Sequence, residues 1–292
     1  MRIAQISDLH FAVPTINPLQ FFSKRWIGNI NLAFSRKKKF TADPLLSLVK
    51  VFKEALIDHV IISGDLTTTS QKTEFTKALQ LVKHFKEAGI GVFAIPGNHD
   101  HYTKKAYRER LFYRYFDAIY HEENSFLGNF NLRDHGITIK KLNPSWWLVA
   151  LDTALATSLF SSQGYFSPVV EKHLEDVLAC IPVDEHILLI NHFPFFQHES
   201  SRKTLLRGEA LRERLRNASH VKLYLHGHTH RHCVADLRAS GFPIILDSGS
   251  TSHHKRAAWN LIELNKGGCF IQVYMRETAS STNEWQISHQ CS

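Results

Sequence analysis

The chain contains little cysteine and no long apolar segment. Its 292 residues include four cysteines, and none of these lies in a Cys-x-x-Cys pair or a similarly close spacing. This usage argues against a disulfide framework, so we expect reduced thiols in a cytoplasmic protein. No apolar run reaches the roughly 20 residues that a membrane-spanning helix needs. The longest candidate, at 187–196, is interrupted by Asn191, His192 and Pro194.

Other signals of a composite or exported chain are also missing. The first residues, MRIAQISDLH, do not have the layout of a secretory signal peptide, because polar and acidic residues follow Ile6 at once. The sequence shows no internal repeat, no low-complexity tract and no clear linker. We therefore expect one domain over 1–292, which is long enough to bury a sizeable core.

Basic residues and histidine, in contrast, are plentiful. Lys and Arg outnumber Asp and Glu by 35 to 27, which gives a net charge of +8 and a pI near 9.3. This charge suits nucleic acid, anionic lipid or a phosphorylated small molecule, although many basic proteins bind nothing through their charge. The 19 histidines are more informative, since imidazole is a common metal ligand.

Short apolar runs alternate with helical patterns along the chain. Apolar spacing predicts helices at about 43–58, 72–88 and 168–181, the first opened by an Asp-Pro pair and the second closed by Gly89. The end of the chain reads as consecutive strands with little helix. This order favours an α/β (α+β) sandwich of two mixed β-sheets flanked by helices. The predicted strands lie at 3–6, 60–62, 92–95, 146–151, 187–190, 223–225 and 243–246.

A polar turn follows five of these strands. Because strand ends in an α/β sheet meet at one edge, we expect the side chains of these turns to form one ligand site. Each residue taken alone is equally well explained as a turn former or an exposed histidine. The turns are Asp8-Leu9-His10, Gly64-Asp65, Gly97-Asn98-His99-Asp100, Asn191-His192 and Gly227-His228-Thr229-His230.

The ligand types in these turns favour a catalytic metal site. Carboxylate and imidazole without thiolate suit Mn, Fe or Zn and differ from a structural cysteine-zinc site. Asp65, on a tight glycine turn, is the candidate to bridge two metals, and two ions about 4 Å apart can clamp a phosphoryl group. We expect His228 and His230 to alternate along an extended segment and to point to the same side.

The order D-x-H, GD, GNHD, H and GHxH resembles the calcineurin-like metallophosphoesterase family. The resemblance implies the metallophosphoesterase fold and two divalent metal ions, with Mn²⁺ favoured and Fe, Mg or Zn as alternatives. It also implies two sets of ligands that share one carboxylate. The first set is Asp8, His10, Asp65 and His230, and the second is Asp65, Asn98, His192 and His228.

The same resemblance implies roles beside the metals. His99 matches the family's catalytic histidine, which contacts the phosphate and protonates the leaving oxygen, and Asp100 would orient its imidazole. Arg231 and His226, on either side of the GHTH block, are candidates to contact substrate phosphate. A solvated arginine and a supporting strand histidine are the alternatives for these two. Asp152 is expected to support the site without binding metal.

The motif blocks also separate branches of the family. Protein Ser/Thr phosphatases typically carry GDxVDRG and GNHE, whereas GDLT and GNHD in this chain resemble the bacterial phosphodiesterase and pyrophosphatase branch. That branch includes cyclic-nucleotide phosphodiesterases and enzymes that cleave UDP-2,3-diacylglucosamine in lipid A synthesis.

A basic and aromatic insertion at about 12–40 interrupts the alternation of strands and helices. Aromatic residues beside a run of four cations are typical of an interfacial helix, and each cation near anionic lipid contributes about 1 kcal/mol. A core-packing helix with a solvated charge run is the alternative. A second aromatic segment, at about 101–125, would either cap the substrate or face the core. The candidate membrane-docking residues are Phe21, Phe22, Trp26, Arg36, Lys37, Lys38 and Lys39.

The stretch SKRWIGNIN…RKKKF resembles the corresponding region of chlamydial-type UDP-2,3-diacylglucosamine pyrophosphatases. That resemblance implies hydrolysis of this nucleotide-linked lipid to UMP and 2,3-diacylglucosamine 1-phosphate. It implies a peripheral place on the inner face of the cytoplasmic membrane and no stable nucleic-acid partner. In the better-known lipid A pyrophosphatase an arginine follows the ligand asparagine, whereas here His99 does. A 3',5'-cyclic-nucleotide phosphodiesterase, a DNA nuclease and a catalytically inactive scaffold are the alternatives.

Overall fold

Two six-stranded mixed sheets form the centre of the computed structural model. The structure describes residues 1–13, 43–117, 130–158, 160–196, 200–276 and 285–291. In chain order the strands are β1 (Arg2–Ile6), β2 (His59–Ile62), β3 (Gly91–Ala94), β4 (Ile137–Asn143), β5 (Trp146–Leu151), β6 (Gly164–Tyr165), β7 (His186–Ile190), β8 (Leu205–Leu206), β9 (Val221–His226), β10 (His232–Asp236), β11 (Ile244–Ser248), β12 (Ala258–Asn265), β13 (Gly268–Arg276) and β14 (Trp285–Cys291).

Helices connect many of the strands. Short 3₁₀ helices lie at Ser201–Lys203 and Arg238–Ser240. The α-helices are α1 (Asp43–Glu54), α2 (Lys72–Glu87), α3 (Lys104–Arg108), α4 (Leu111–Phe116), α5 (Leu132–His135), α6 (Pro168–Cys180) and α7 (Gly208–Arg216).

Parallel pairing aligns the ends of the strands that precede the polar turns. The first sheet has the order β14-β13-β12-β1-β2-β3, and the second has the order β10-β11-β9-β7-β5-β4. In the first sheet Ile6 pairs with Ile62, which in turn pairs with Ala94, so three turns begin at the same level. In the second sheet Ile190 pairs with Leu225. The register therefore brings the turns after β1, β2, β3, β7 and β9 to one edge.

Alternation along the central strands builds two cores. In β5, Trp146, Leu148 and Ala150 pack into the core between the sheets, whereas the intervening residues face α6 and α7. Outside the first sheet, Phe52 of α1 stacks on Phe85 of α2 at 5.5 Å and meets Trp259 of β12 edge-on at 4.8 Å. Helices thus cover the outer faces of both sheets, which confirms the expected α/β sandwich.

The structure agrees with the predicted elements in type and differs at their ends. The predicted strands and three helices are all present, with α1 ending at Glu54 and α2 at Glu87. Helix α7 was not predicted. Its N-cap residue is Arg207, which has a left-handed φ of 58° and makes no side-chain cap. The sequence therefore contains no N-cap signal for this helix. Strand β4 was also not predicted.

The structure describes only part of the two segments expected to approach the substrate, at about 12–40 and 101–125. All seven candidate membrane-docking residues fall in 14–42, outside the described residues. In the segment at 101–125, described up to residue 117, Phe112 and Phe116 of α4 are fully buried, and Phe116 contacts Phe75 of α2. This part packs on the core, as one of the two alternatives predicted. Among the described residues, no helix has the length and apolar character needed to cross a bilayer.

Candidate metal centre

Backbone hydrogen bonds join the polar turns of the first sheet to one another. The amide of Asp8 donates to the carbonyl of Gly64 at 3.1 Å, and the amide of His10 donates to the carbonyl of Asp65 at 3.0 Å. Behind Asp8, the hydroxyls of Ser250 and Ser252 donate to its carbonyl at 2.7 and 3.2 Å. The first turn is therefore fixed from both sides by neighbouring loops.

Five candidate ligands have left-handed backbone conformations. The φ angles are 53° at Asp8, 49° at His10, 53° at Asp65, 70° at His228 and 55° at His230. For residues with a Cβ this region costs on the order of 1 kcal/mol or more each, and such strain is typical of functional sites. The prediction that His228 and His230 alternate along an extended segment is wrong, because both are turn residues.

The first ligand group combines three residues from the first quarter of the chain with His230, which is far from them in the sequence. The Nε2 atom of His230 lies 3.1 Å from Oδ1 of Asp8 and 2.9 Å from Nε2 of His10. His10 Nε2 is also 3.7 Å from Asp8 Oδ1 and 4.0 Å from Oδ2 of Asp65. One ligand atom from each of these four residues lies within 4.8 Å of the others. This spacing suits one metal ion.

The second ligand group lies on the other side of Asp65. His192 Nε2 is 3.5 Å from Asp65 Oδ2, and His228 Nδ1 is 2.9 Å from the side-chain oxygen of Asn98. The rings of His192 and His228 meet edge-on, with centroids 5.2 Å apart. The Asp65 carboxylate therefore faces both groups, which is the position of a carboxylate that bridges two ions.

Carbonyl groups set the tautomers of two histidines in the second group. His192 Nδ1 is 2.8 Å from the carbonyl of Ser63, and His228 Nε2 is 2.9 Å from the carbonyl of Lys203. Because a carbonyl only accepts, each of these nitrogens carries the hydrogen. The other nitrogens, Nε2 of His192 and Nδ1 of His228, face the site, and they are the atoms that would bind metal once they carry no hydrogen.

Two observations fit metal ions at these positions: buried ligand atoms without a hydrogen-bond partner, and glycine backbone packed closely against the ligand side chains. Oδ1 of Asp8 and Nε2 of His192 are buried without a hydrogen-bond partner among the described residues. A Cβ at Gly97 would lie 2.2 Å from Asp65 Oδ1, and one at Gly64, where φ is 104°, would lie 2.3 Å from His192 Nδ1. The two glycines therefore give the bridging carboxylate and the imidazole the space that they occupy.

The electrostatics of the metal-free protein follow from burial and from these contacts. Burial disfavours ionisation of Asp8, but the charges of His230 and His192 outweigh it and lower the pKa of Asp8 to about 2. Burial likewise disfavours charge on His192, yet Asp65 raises the pKa of His192 to about 9. Burial, reinforced by His192, lowers the pKa of His228 to about 3. Neighbouring histidine charges therefore compensate the buried carboxylates when no metal is bound.

His99 lies against both the bridging carboxylate and the first ligand group. Its amide donates to Asp65 Oδ1 at 2.7 Å, and its Nδ1 is 2.6 Å from the carbonyl of Thr68. The ring meets the His10 ring edge-on at 4.9 Å and stacks on Tyr102 at 5.3 Å. The Thr68 carbonyl requires a hydrogen on Nδ1, so Nε2 is the atom that exchanges a proton with a ligand in the cleft.

Asp100 does not orient the His99 ring, which corrects the expectation from the sequence. Its Oδ2 accepts hydrogen bonds from the amides of Gly97 at 3.0 Å and Leu66 at 3.1 Å, and its Oδ1 accepts from the amide and hydroxyl of Thr67, both at 2.8 Å. Burial and the neighbouring Asp65 raise the pKa of Asp100 to about 6. Asp100 thus joins the GD and GNHD turns, and Thr68 orients His99.

The two candidate phosphate contacts differ in position. His226 is 2% exposed, and its Nδ1 lies 3.4 Å from Asp247 Oδ2. It therefore lies behind the GHTH turn, where Asp247 also accepts a 2.6 Å hydrogen bond from Thr229, and the expected substrate contact by His226 is wrong. Arg231 is exposed just beyond the turn, which it joins through its amide.

Two residues that line the cleft beside the ligands, Ser162 and Lys203, were not predicted. This cleft has a volume of about 140 Å³. Ser162 and Lys203 come from loops that carry no recognisable motif, so no sequence signal marked them. The cleft is lined by Asp65, Asn98, His99, Ser162, Lys203, His228, Thr229 and His230.

Solved structures with the same fold include known phosphatases. A dimetal phosphatase from Danio rerio has a TM-score of 0.63 at 15% identity, with 94% of this chain and 96% of that chain covered. Purple acid phosphatase PPD1 from yellow lupin (Lupinus luteus) has a TM-score of 0.60 at 11% identity, and the match covers 99% of this chain and 53% of the lupin chain. At these identities the likeness shows the fold. No curated protein sequence matches the chain.

A family model gives a more direct assignment. The model described as calcineurin-like phosphoesterase matches residues 1–232. This range includes every ligand-bearing turn, from Asp8 to His230. The protein therefore belongs to the calcineurin-like phosphoesterase family, whose members are metal-dependent hydrolases.

Proposed function

We propose that the protein is a pyrophosphatase that hydrolyses UDP-2,3-diacylglucosamine to UMP and 2,3-diacylglucosamine 1-phosphate. The observation that carries the phosphoesterase chemistry is the position of Asp65. Its Oδ2 faces His10 and His192, one from each ligand group, while its Oδ1 accepts the amide of His99. A bridging carboxylate is thus directly linked to the residue that handles the proton.

The residues fit two divalent ions, with Mn²⁺ proposed from the oxygen and nitrogen donors. Asp8, His10, Asp65 and His230 would hold one ion, and Asp65, Asn98, His192 and His228 would hold the other. When bound, such ions polarise a phosphoryl oxygen and lower the pKa of water. The protein supplies the rest by holding the ligands on fixed turns and placing a histidine beside them.

His99 provides the proton for the leaving oxygen. Its Nδ1 hydrogen is held by the Thr68 carbonyl, and the ring is clamped between His10 and Tyr102. In the overall reaction, water adds to one phosphorus and the bridging P–O bond breaks. The bridging oxygen leaves on the other phosphate and takes a proton from Nε2 of the protonated His99 ring. The attacking water gives up a proton to solvent, and His99 regains one from solvent, so the ring returns to its starting form.

The lipid substrate is supported by sequence. The GDLT and GNHD blocks resemble those of the pyrophosphatase and phosphodiesterase branch, and the basic-aromatic insertion suits a substrate withdrawn from a membrane. We propose that Arg36, Lys37, Lys38 and Lys39 bind anionic lipid while the neighbouring aromatic residues enter the interface. The protein would then act at the inner face of the cytoplasmic membrane.

Parallel turnover assays test the substrate. Purified protein with Mn²⁺ receives UDP-2,3-diacylglucosamine in detergent or cyclic AMP, and release of UMP or AMP is followed. We expect fast UMP release and negligible cyclic AMP hydrolysis, and His99→Ala protein as the control should lose the UMP release. Fast AMP release without UMP release would replace the proposal by a cyclic-nucleotide phosphodiesterase.

Vesicle flotation tests the membrane contact separately. Wild-type protein should float with vesicles that contain phosphatidylglycerol and remain behind with phosphatidylcholine alone. A variant with glutamine at 36–39 should lose flotation, whereas glutamine at the exposed Lys50 and Lys53 of α1 should leave it intact. Equal flotation of the two variants would contradict the docking role of the cationic run.

A further inference from the structure

An aromatic ring lies flat against the imidazole of His99. The Tyr102 ring is nearly parallel to the His99 ring, with centroids 5.3 Å apart and an angle of 13° between the planes. Tyr102 follows His99 by three positions and belongs to neither ligand group. It is 8% exposed, so little water reaches this contact.

The hydrogen bond to Thr68 does not by itself fix the plane of the His99 ring. It holds one atom, Nδ1, which lies 2.6 Å from the Thr68 carbonyl. Rotation about the Cβ–Cγ bond of histidine has broad minima, so the ring plane is set by what packs against it. The His10 ring is almost perpendicular to it, at 87°, and the Tyr102 ring is stacked on it. Tyr102 is therefore the neighbour that restricts the ring without being a candidate metal ligand.

Ser70, in the GDLTTTS turn, fixes the backbone of Tyr102 relative to that of His99. Its hydroxyl accepts from the amide of Tyr102 at 2.7 Å and donates to the carbonyl of His99 at 2.8 Å. In an ordinary four-residue turn the first carbonyl accepts directly from the fourth amide, whereas here a hydroxyl from another turn bridges the two groups. Ser70 is fully buried and has a left-handed φ of 56°, a strained conformation that is typical of functional sites.

We propose that Tyr102 is a positioning residue that acts through His99 and holds the imidazole in the orientation from which it protonates the leaving oxygen. The inference rests on the proton transfer in the proposed function and identifies what makes that transfer efficient. With Nδ1 bonded to Thr68, Nε2 is the nitrogen left for the leaving oxygen, and the stacked ring restricts its direction. A small displacement of such a group can lower a rate by about 100-fold.

Leaving groups of different basicity distinguish lost proton transfer from general damage. Kinetics on Mn²⁺-loaded protein compare methyl p-nitrophenyl phosphate, whose leaving oxygen needs little protonation, with methyl phenyl phosphate, whose leaving oxygen is more basic. The kcat ratio is kcat for the nitrophenyl ester divided by kcat for the phenyl ester. Tyr102→Leu should raise this ratio about tenfold and change both KM values less than about twofold. His99→Ala should raise the ratio at least as far, and adding Tyr102→Leu to His99→Ala should change nothing more.

Two variants control for the loss of a buried aromatic ring. Tyr102→Phe keeps the ring that stacks on His99 and should retain most of the wild-type kcat ratio. Phe112 is fully buried in α4, where it packs on Phe116 at 5.0 Å. Phe112→Leu should lower the urea midpoint and leave the kcat ratio unchanged. Elemental analysis of every variant checks that the metal content is that of the wild type.

Nuclear magnetic resonance follows the His99 ring without any turnover. Zn²⁺-loaded protein avoids the paramagnetic broadening of Mn²⁺, and the His99 ring signals are identified by their absence from His99→Ala protein. A stacked aromatic ring shifts these signals, so they should move in Tyr102→Leu and stay near their wild-type positions in Tyr102→Phe and Phe112→Leu. Unmoved His99 signals in Tyr102→Leu would overturn the proposal, and so would an unchanged kcat ratio in metal-replete Tyr102→Leu protein.

The positioning role and the proposed function fail in different ways. A kcat ratio that is unchanged in His99→Ala would show that His99 does not donate the proton, which rejects the proposed mechanism and the role of Tyr102 together. A ratio that rises in His99→Ala and not in Tyr102→Leu would reject the role of Tyr102 alone. Failure of the lipid turnover assay alone would reject the lipid substrate and leave the results on both aryl esters standing.

Discussion

Nε2 of His10 and Nε2 of His230 lie 2.9 Å apart, although 220 positions separate the two residues in the chain. Two imidazole nitrogens at this distance share either a proton or a cation. Asp8 Oδ1 lies 3.1 Å from the same His230 nitrogen, so the ligand atoms converge on one point. We therefore expect a cation to bind at this point, and the binding can be measured directly.

Replacing Asp65 with asparagine should disrupt both metal sites, because its carboxylate faces His10 in one group and His192 in the other. We expect fewer than two ions per chain at metal concentrations that saturate the wild type, and turnover lowered by at least a hundredfold. Elemental analysis after dialysis measures the stoichiometry. Asn98→Ala is the control, since Asn98 belongs to one group and its loss should spare the first ion. Full occupancy of both sites in Asp65→Asn protein would contradict the bridging position.

Replacing His99 with alanine should lower kcat by about 10²–10⁴-fold, the usual contribution of a general acid. Metal content should stay at the wild-type level, because the His99 ring contacts the first group without belonging to either ligand set. Steady-state kinetics on a phosphodiester, together with elemental analysis, separates the two effects. Unchanged turnover would exclude the proposed role of His99, whereas loss of metal would assign the effect to the centre.

The metal-free protein should lose stability as the pH rises from about 6.5 to about 9. Burial opposes the charge on His192, but Asp65 raises the pKa of His192 to about 9 in the folded state. The unfolded chain has a pKa near 6.5. The stabilising proton is thus fully present below pH 6.5 and is lost as the pH approaches 9, which amounts to about 3 kcal/mol at most.

Urea unfolding of EDTA-treated protein at several pH values measures this loss. Metal uptake in the same range should release a proton, since the ligand nitrogen must be free. The His192→Asn variant is the control, and its unfolding free energy should vary less with pH in this window. Identical pH dependence in the two proteins would show that another group is responsible.

Asp100→Asn should destabilise the fold by about 1–3 kcal/mol. The carboxylate accepts from the amides of Gly97, Leu66 and Thr67, and an asparagine NH₂ group would face some of these donors instead. We expect a lower urea midpoint together with an unshifted pH profile of kcat, because Asp100 does not touch the His99 ring. A shifted pH profile without a loss of stability would return Asp100 to the role of orienting His99.

The sequence was informative about the site wherever strand register determines position. Ile6, Ile62 and Ala94 end neighbouring parallel strands at one level, so motif residues placed just after them necessarily come together. The hydrophobic pattern identifies such strands, because each is a short, mostly apolar run that is interrupted in β1 only by Gln5. Helices between β1, β2 and β3 favour parallel pairing of these strands, and their parallel pairing brings the turns together.

Other features depended on backbone conformation that residue patterns do not encode. The left-handed φ values of His228 and His230 replace the expected extended segment, and they direct one ring to each ligand group. Asp100 was assigned to His99 because the two are adjacent, but its hydrogen bonds go to another turn. Ser162 and Lys203 line the cleft from segments next to β6 and β8, strands of two residues each that are too short to show any periodicity.

The division of the ligands between the two sheets has a consequence for biosynthesis. Each candidate metal site combines residues before position 100 with residues after position 190, through His230 in one group and His192 and His228 in the other. A nascent chain therefore has neither complete site until residue 228 has left the ribosome. The complete set of ligands for either ion therefore forms only when both sheets are present and joined.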